Sequence, residues 1–185
     1  MPKKRVIIVH GWDASPEMHW FPWLKKEMEK RNYEVIAPQM PGGENPRLEE
    51  WMEKLKEVVP DLDKNTYFVG HSLGCIAVCH YLSLLPFGTK IGGCIFVAGF
   101  LRDIEPELDN FCVPFDIGKV KGICENFAIV ANRDDDVVPF ERSLEMQNKL
   151  KAEMVLQKGK GHFNADDGVT ELPVVIEELM KMRQK

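Results

Sequence analysis

The residues best suited to chemistry in this sequence lie in the pentapeptide Gly70-His71-Ser72-Leu73-Gly74. A short apolar run over residues 67–69 precedes it, and apolar residues at helical spacing follow it. Gly-x-Ser-x-Gly between a strand and a helix is typical of a nucleophile elbow, a sharp turn that exposes a serine hydroxyl. The glycines avoid β-carbons that would collide with neighbouring backbone. The pattern predicts that Ser72 is the nucleophile of an acyl-transfer reaction, and the alternative is a tight turn with an incidental serine.

A serine hydroxyl is a weak nucleophile at neutral pH, so it needs a base to accept its proton and a carboxylate to orient that base. His162 follows one predicted strand, and the consecutive aspartates Asp134, Asp135 and Asp136 follow the strand predicted over residues 127–131. Both loops fall at the carboxyl ends of strands, where the sites of parallel sheets lie. The order serine, aspartate, histidine along the chain is that of the α/β-hydrolase fold.

Backbone N–H groups are expected to stabilise the negative charge that develops on the attacked carbonyl oxygen. Leu73, directly after the nucleophile, supplies one of them, and Trp12, in the loop after the first strand, supplies the second. Four aromatic side chains in loops at the strand ends are expected to contact the substrate: Trp12, Trp20, Phe100 and Phe115.

The other histidines have structural interpretations. We expect His71 to pack or hydrogen-bond beside the sheet, His80 to be a satisfied structural residue of the helix after the elbow, and His10 to shape the oxyanion loop. His19 is compatible with substrate contact and equally with a surface position.

The elements that must position these residues alternate between strand and helix along the whole chain. This order predicts an α/β-hydrolase-like three-layer sandwich over residues 1–185, with a mostly parallel sheet of about six strands and helices on both faces. The segment 99–125 has no strong periodicity, so we expect an irregular stretch that forms at most a partial cover, without a separate lid domain.

Charge and composition exclude several classes of function. The 24 basic and 29 acidic residues give a dispersed net charge of −5, which indicates no nucleic-acid or anionic-membrane partner. No apolar run is long enough for a membrane span, and the first strand is too short for a signal-peptide core. The five cysteines have no metal-ligand spacing and are expected to be reduced. We therefore expect a cytoplasmic protein without metal or cofactor.

Several motifs together also resemble a known family: His10-Gly11, Met40-Pro41 followed by Pro46-Arg47-Leu48-Glu49-Glu50-Trp51, the elbow itself, Asp135-x-x-Val138-Pro139, and Gly161-His162-Phe163. Over nearly its whole length the chain resembles the small single-domain serine hydrolases of the YdeN and retinoblastoma-binding-protein-nine type. The family pattern Asp-x-x-Val-Pro selects Asp135 among the three aspartates. The resemblance thus implies a catalytic triad of Ser72, Asp135 and His162.

We expect a serine hydrolase that cleaves small carboxylic esters through an acyl-enzyme. An amide or aminoacyl hydrolase with the same triad is the first alternative. A protein-interaction module on a hydrolase scaffold is the second, although the chain has no Leu-x-Cys-x-Glu motif for the retinoblastoma pocket.

Overall fold

The computed structural model describes residues 4–59, 61–102 and 106–184. The sheet has six strands, all parallel, in the spatial order β2-β1-β3-β4-β5-β6. The strands are β1 (Arg5–Val9), β2 (Glu34–Ile36), β3 (Thr66–His71), β4 (Gly93–Val97), β5 (Phe127–Asn132) and β6 (Glu153–Gln157).

The helices that connect the strands are α1 (Phe21–Glu29), α2 (Leu48–Val58), α3 (Leu73–Leu84), α4 (Ile117–Ile123), α5 (Phe140–Leu150) and α6 (Pro173–Met182), with a 3₁₀ helix over Pro106–Phe111. Because successive side chains of a strand point to opposite faces, each face of the sheet has its own core. Helices α1 and α6 cover one face, and α2, α3, α4 and α5 cover the other. This arrangement confirms the predicted α/β-hydrolase architecture.

The central strand β3 carries the elbow. Every residue of β3 is buried, because it pairs with β1 on one side and β4 on the other and is covered by helices on both faces. Helix α3, which follows it, is apolar on all sides and buried from Leu73 to Leu82. The turn that carries Ser72 therefore joins a strand and a helix that are both enclosed by the fold.

The segment 99–125 differs from the expectation of an irregular stretch. It contains the 3₁₀ helix and α4, although residues 103–105 lie outside the described part of the chain. Asp116 caps α4 by accepting the N–H of Lys119 at 2.8 Å. This helix lacks a clear apolar period because only Val120 and Ile123 are buried, which explains why the sequence pattern did not predict it.

The start of α2 has an acceptor that the sequence does not indicate. The helix begins at Leu48, whereas Asn45 and Pro46 have the residue types of a cap and a first turn. The side-chain oxygen of Asn110, in the 3₁₀ helix, accepts the N–H of Leu48 at 2.9 Å, and its amide donates to the carbonyl of Pro46 at 3.3 Å.

Within the three described ranges, no helix combines the length and the apolar character needed to cross a bilayer.

Candidate active site

The elbow has the strained geometry that its sequence predicts. Ser72 lies at φ 52° and ψ −120°, a conformation that an L-residue rarely adopts and that persists only when surrounding contacts enforce it. A β-carbon on Gly70 would lie 2.9 Å from the Cα of Cys75, and one on Gly74 would overlap the carbonyl oxygen of Val9. Only glycine fits at either position, because the obstructing atoms are backbone.

The loop after β1 lies directly against Ser72. A β-carbon on Gly11 would lie 3.1 Å from the Cβ of Ser72, so the next residue, Trp12, starts beside the elbow. Leu73 is the first residue of α3, and its N–H has no carbonyl one turn earlier in the helix to bind. The two N–H groups predicted for the oxyanion hole thus belong to segments that meet at Ser72.

His162 and Asp135 form a buried pair. Nδ1 of His162 lies 2.9 Å and 3.0 Å from the two carboxylate oxygens of Asp135, and the side chains are 7% and 2% exposed. Oδ1 of Asp135 also accepts the N–H groups of Val137 at 2.9 Å and Val138 at 2.8 Å. A carboxylate has no hydrogen to donate, so His162 carries its proton on Nδ1, which leaves Nε2 as an acceptor.

The neighbouring aspartates are placed differently. Asp134 and Asp136 are exposed, whereas the side chain of Asp135 between them is 2% exposed and lies against His162. Of the three aspartates, the structure brings Asp135 to the histidine.

Two further residues hold the histidine loop in place. His71 donates from Nε2 to the carbonyl oxygen of His162 at 2.9 Å, and Oδ2 of Asp167 accepts the N–H groups of His162 at 2.9 Å and Asn164 at 3.0 Å. His71 therefore bonds beside the sheet, as expected. Asp167 was missed by the sequence analysis, because its residue type and position do not distinguish it from the adjacent Asp166.

The site contains several histidines that the structure keeps neutral. Burial lowers the pKa of His71 well below its usual value of 6.5, and it also lowers the pKa values of His10 and His19. His10 donates from Nδ1 to the carbonyl oxygen of Gly11 at 2.8 Å and accepts the N–H of Met40 on Nε2 at 2.9 Å. These two bonds hold the loop after β1, which carries the predicted oxyanion donor Trp12, against the segment that follows β2.

Ser72 and His162 line the same cavity, which has a volume of about 330 Å³. The other lining residues are Gly11, Trp12, Asp13, Ala14, Met18, His19, His71, Leu108, Val137, Asn164 and Asp166. Among the described residues that line the cavity none is lysine or arginine, and the acidic ones are Asp13 and Asp166.

Of the four aromatic residues expected to contact substrate, the structure places only Trp12 at this cavity. Trp20 is fully buried against Phe21, with ring centroids 4.7 Å apart, and Phe100 is fully buried in the core beneath α3. Phe115 packs on His80 at 4.7 Å and lines a separate groove. The expectation was wrong for these three, because a loop position does not determine the direction of a side chain.

Comparisons with known proteins agree with this geometry. The profile of the family described as serine hydrolase matches residues 6–181. YdeN of Bacillus subtilis (strain 168) is 37% identical over 179 residues, which cover 95% of this chain and 94% of YdeN. The crystal structure of the B. subtilis ydeN gene product superimposes with a TM-score of 0.95 at 36% identity and covers 99% of this chain and 100% of that one.

More distant structures share the fold. Est1E from Butyrivibrio proteoclasticus, solved with ferulic acid bound, has a TM-score of 0.70 at 16% identity and covers 96% of this chain and 90% of that one. Together, the matched profile, the extensive identity to YdeN and the strained serine on its elbow show that the chain belongs to the serine hydrolase family and resembles YdeN.

Proposed function

We propose that the protein hydrolyses small carboxylic esters through an acyl-enzyme, with Ser72 as nucleophile, His162 as general base and acid, and Asp135 as the residue that orients His162. The observation that carries this proposal is the 2.9 Å contact between Asp135 and His162 at the cavity onto which Ser72 opens. The family match supports hydrolysis in general.

In the first step Nε2 of His162 accepts the hydroxyl proton of Ser72 while Oγ attacks the ester carbonyl carbon. The N–H groups of Leu73 and Trp12 bind the oxygen that becomes negative. His162 then returns the proton to the leaving alcohol as the bond between the carbonyl carbon and the alcohol oxygen breaks. Water repeats the sequence on the acyl-enzyme and releases the acid and free Ser72.

The buried carboxylate of Asp135 has two roles in these steps. It fixes the proton of neutral His162 on Nδ1, so that Nε2 is free to act as base, and it stabilises the imidazolium that forms in each half-reaction. Its two backbone hydrogen bonds, from Val137 and Val138, hold it in position.

The volume of the cavity supports the proposal that the substrates are small. A volume of about 330 Å³ lies at the lower end of the range for small-molecule sites, roughly 300–1,000 Å³. Leu108 of the 3₁₀ helix reaches the cavity from the segment 99–125, which contributes one wall.

We also propose a cytoplasmic location. All five cysteines are free, and four of them are buried, which suits a reducing compartment where disulfides are rare.

A fluorophosphonate probe tests the nucleophile. Peptide mapping of the labelled protein should find the probe on Ser72, and Ser72→Ala should lose both labelling and turnover while keeping the circular dichroism spectrum of the wild type. Labelling that survives in Ser72→Ala would exclude Ser72 as the nucleophile.

A substrate panel tests the reaction class. Short-chain acyl esters should be hydrolysed faster than aminoacyl amides with the same acyl size. Faster cleavage of the amides would favour the amide or aminoacyl hydrolase, and a labelled protein that turns over neither class would favour the interaction module.

A further inference from the structure

His19 lies in the loop between β1 and α1, at the wall of the active-site cavity. Its backbone is left-handed, with φ 54°, which is uncommon for a residue other than glycine. Its half-buried ring packs edge-on against Phe21, with centroids 5.5 Å apart, and against His71 at 5.7 Å. The ring is therefore held at the cavity by contacts on two sides.

A hydrogen bond at Nδ1 fixes the tautomer of His19. The backbone N–H of Ala165 donates to Nδ1 at 3.0 Å, so Nδ1 is an acceptor and the proton of the neutral ring is on Nε2. Burial lowers the pKa of His19, which favours this neutral form. Nε2 has no protein hydrogen-bond partner within residues 4–59, 61–102 and 106–184, so its N–H is available to a bound molecule.

Ala165 belongs to the same loop as His162, so His19 lies on the side of the cavity that holds the catalytic base. Asn164 and Asp166 come from this loop as well, and with His19 they form a polar wall. Leu108 and Val137 are apolar and come from other segments. Since His162 returns its proton to the leaving alcohol, the alcohol portion of a bound ester lies beside the polar wall.

We propose that His19 determines specificity for the leaving group: its Nε2–H donates a hydrogen bond to an oxygen in the alcohol portion of the ester, so the enzyme prefers esters of alcohols that carry a second oxygen. This inference rests on the proposed esterase function. The preferred substrates are thus esters of hydroxylated or ether alcohols rather than of plain alkyl alcohols.

Two butyrate esters of equal length test the preference. 2-Methoxyethyl butyrate and butyl butyrate differ by one ether oxygen in place of a methylene group in the alcohol. The measured quantity is the ratio of their kcat/KM values, which is compared between wild type and variants so that the intrinsic reactivity of each ester cancels. The loss of one hydrogen bond should lower this ratio about fivefold.

Two variants separate the donor from the structural role of the ring. His19→Asn tolerates the left-handed backbone and places an oxygen near the position of Nδ1, so it keeps an acceptor for Ala165 but loses the distal donor. His19→Gln reaches the position of Nε2 with a donor and loses the Nδ1 acceptor. We expect the ratio to fall in His19→Asn and to be largely retained in His19→Gln.

An unchanged ratio in His19→Asn, or a ratio that falls in His19→Gln alone, would overturn the inference and leave the esterase proposal intact. If the wild type hydrolyses neither ester and Ser72 is not labelled, the proposed function itself fails and this inference fails with it.

A measurement on the wild type alone covers the case in which neither variant folds. Equal concentrations of 2-methoxyethanol and 1-butanol compete for the butyryl-enzyme formed from 4-nitrophenyl butyrate. Transfer to an alcohol is the reverse of acylation by its ester, so we expect 2-methoxyethyl butyrate to be the major ester product. An excess of butyl butyrate would overturn the inference.

Discussion

Replacement of Asp135 by asparagine tests the orienting role of the carboxylate with little change in shape. The amide oxygen of Asn can still accept the N–H groups of Val137 and Val138, which the carboxylate accepts at 2.9 Å and 2.8 Å. The amide nitrogen then faces Nδ1 of His162 and donates to it. This interaction moves the proton of His162 to Nε2, where the ring can no longer accept the hydroxyl proton of Ser72.

The expected loss in kcat is about 10⁴, the size of effect seen when a buried triad aspartate becomes asparagine. This factor corresponds to about 5.4 kcal/mol of transition-state stabilisation. The free energy of unfolding should change by only about 1 kcal/mol, because the weaker neutral hydrogen bonds to His162, Val137 and Val138 are offset by the removal of a buried charge.

Steady-state kinetics with a short-chain ester and urea unfolding measure the two quantities on the same preparation. Asp134→Asn and Asp136→Asn are matched controls, and because both side chains are exposed we expect less than about a twofold change in kcat. Near wild-type activity in Asp135→Asn, or a loss of the same size in a control, would refute the assignment of Asp135.

Three further predictions concern the frame around the triad. Gly74→Ala should lower the free energy of unfolding by about 3 kcal/mol, measured in urea, or prevent folding, because its β-carbon would overlap backbone atoms. Gly122→Ala in α4, where a β-carbon would have no atom within 4 Å, should raise it by about 0.5 kcal/mol. Equal effects of the two substitutions would contradict this difference in packing. Burial holds the pKa of His71 well below 6.5, so below pH 6.5 the unfolded chain binds one proton more than the folded chain at this residue. The free energy of unfolding should therefore decrease by about 1.4 kcal/mol for each pH unit below 6.5. If His71→Gln showed the same dependence of unfolding free energy on pH as the wild type, this contribution would be disproved. Asp167→Ala should slow labelling of the nucleophile about tenfold and Asp167→Asn less, since the amide keeps one acceptor oxygen; equal rates would exclude a positioning role.

The parts of the fold and site that could be predicted from sequence depend on residues close together in the chain. The elbow is such a case, because the strain at Ser72 and the close approach of Gly70 to Cys75 arise within one turn, although the space that Gly74 leaves is for Val9 of a distant strand. Asp135 is another: the family pattern Asp-x-x-Val-Pro selects it, and its carboxylate accepts the N–H groups two and three residues later. The alternation of strand and helix along the chain was sufficient to predict the six-stranded parallel sheet.

The features that were not predicted depend on contacts between distant segments. Asn110 caps a helix that starts 62 positions earlier, and Ala165 fixes the tautomer of a histidine 146 positions away. The inward direction of Trp20 and Phe100 results from packing across the sheet. Sequence spacing carries no information on such contacts, since it reflects periodicity within one element.

The bond between Asn110 and Leu48 has a consequence for the motion of the cavity. The 3₁₀ helix that contains Asn110 also contains Leu108, a wall of the cavity, so an outward movement of this wall would remove the acceptor of the first N–H of α2. Widening the cavity at Leu108 would therefore be coupled to fraying at the start of α2. If the protein is the proposed esterase, the free energy of that local opening would disfavour large substrates at a point remote from Ser72.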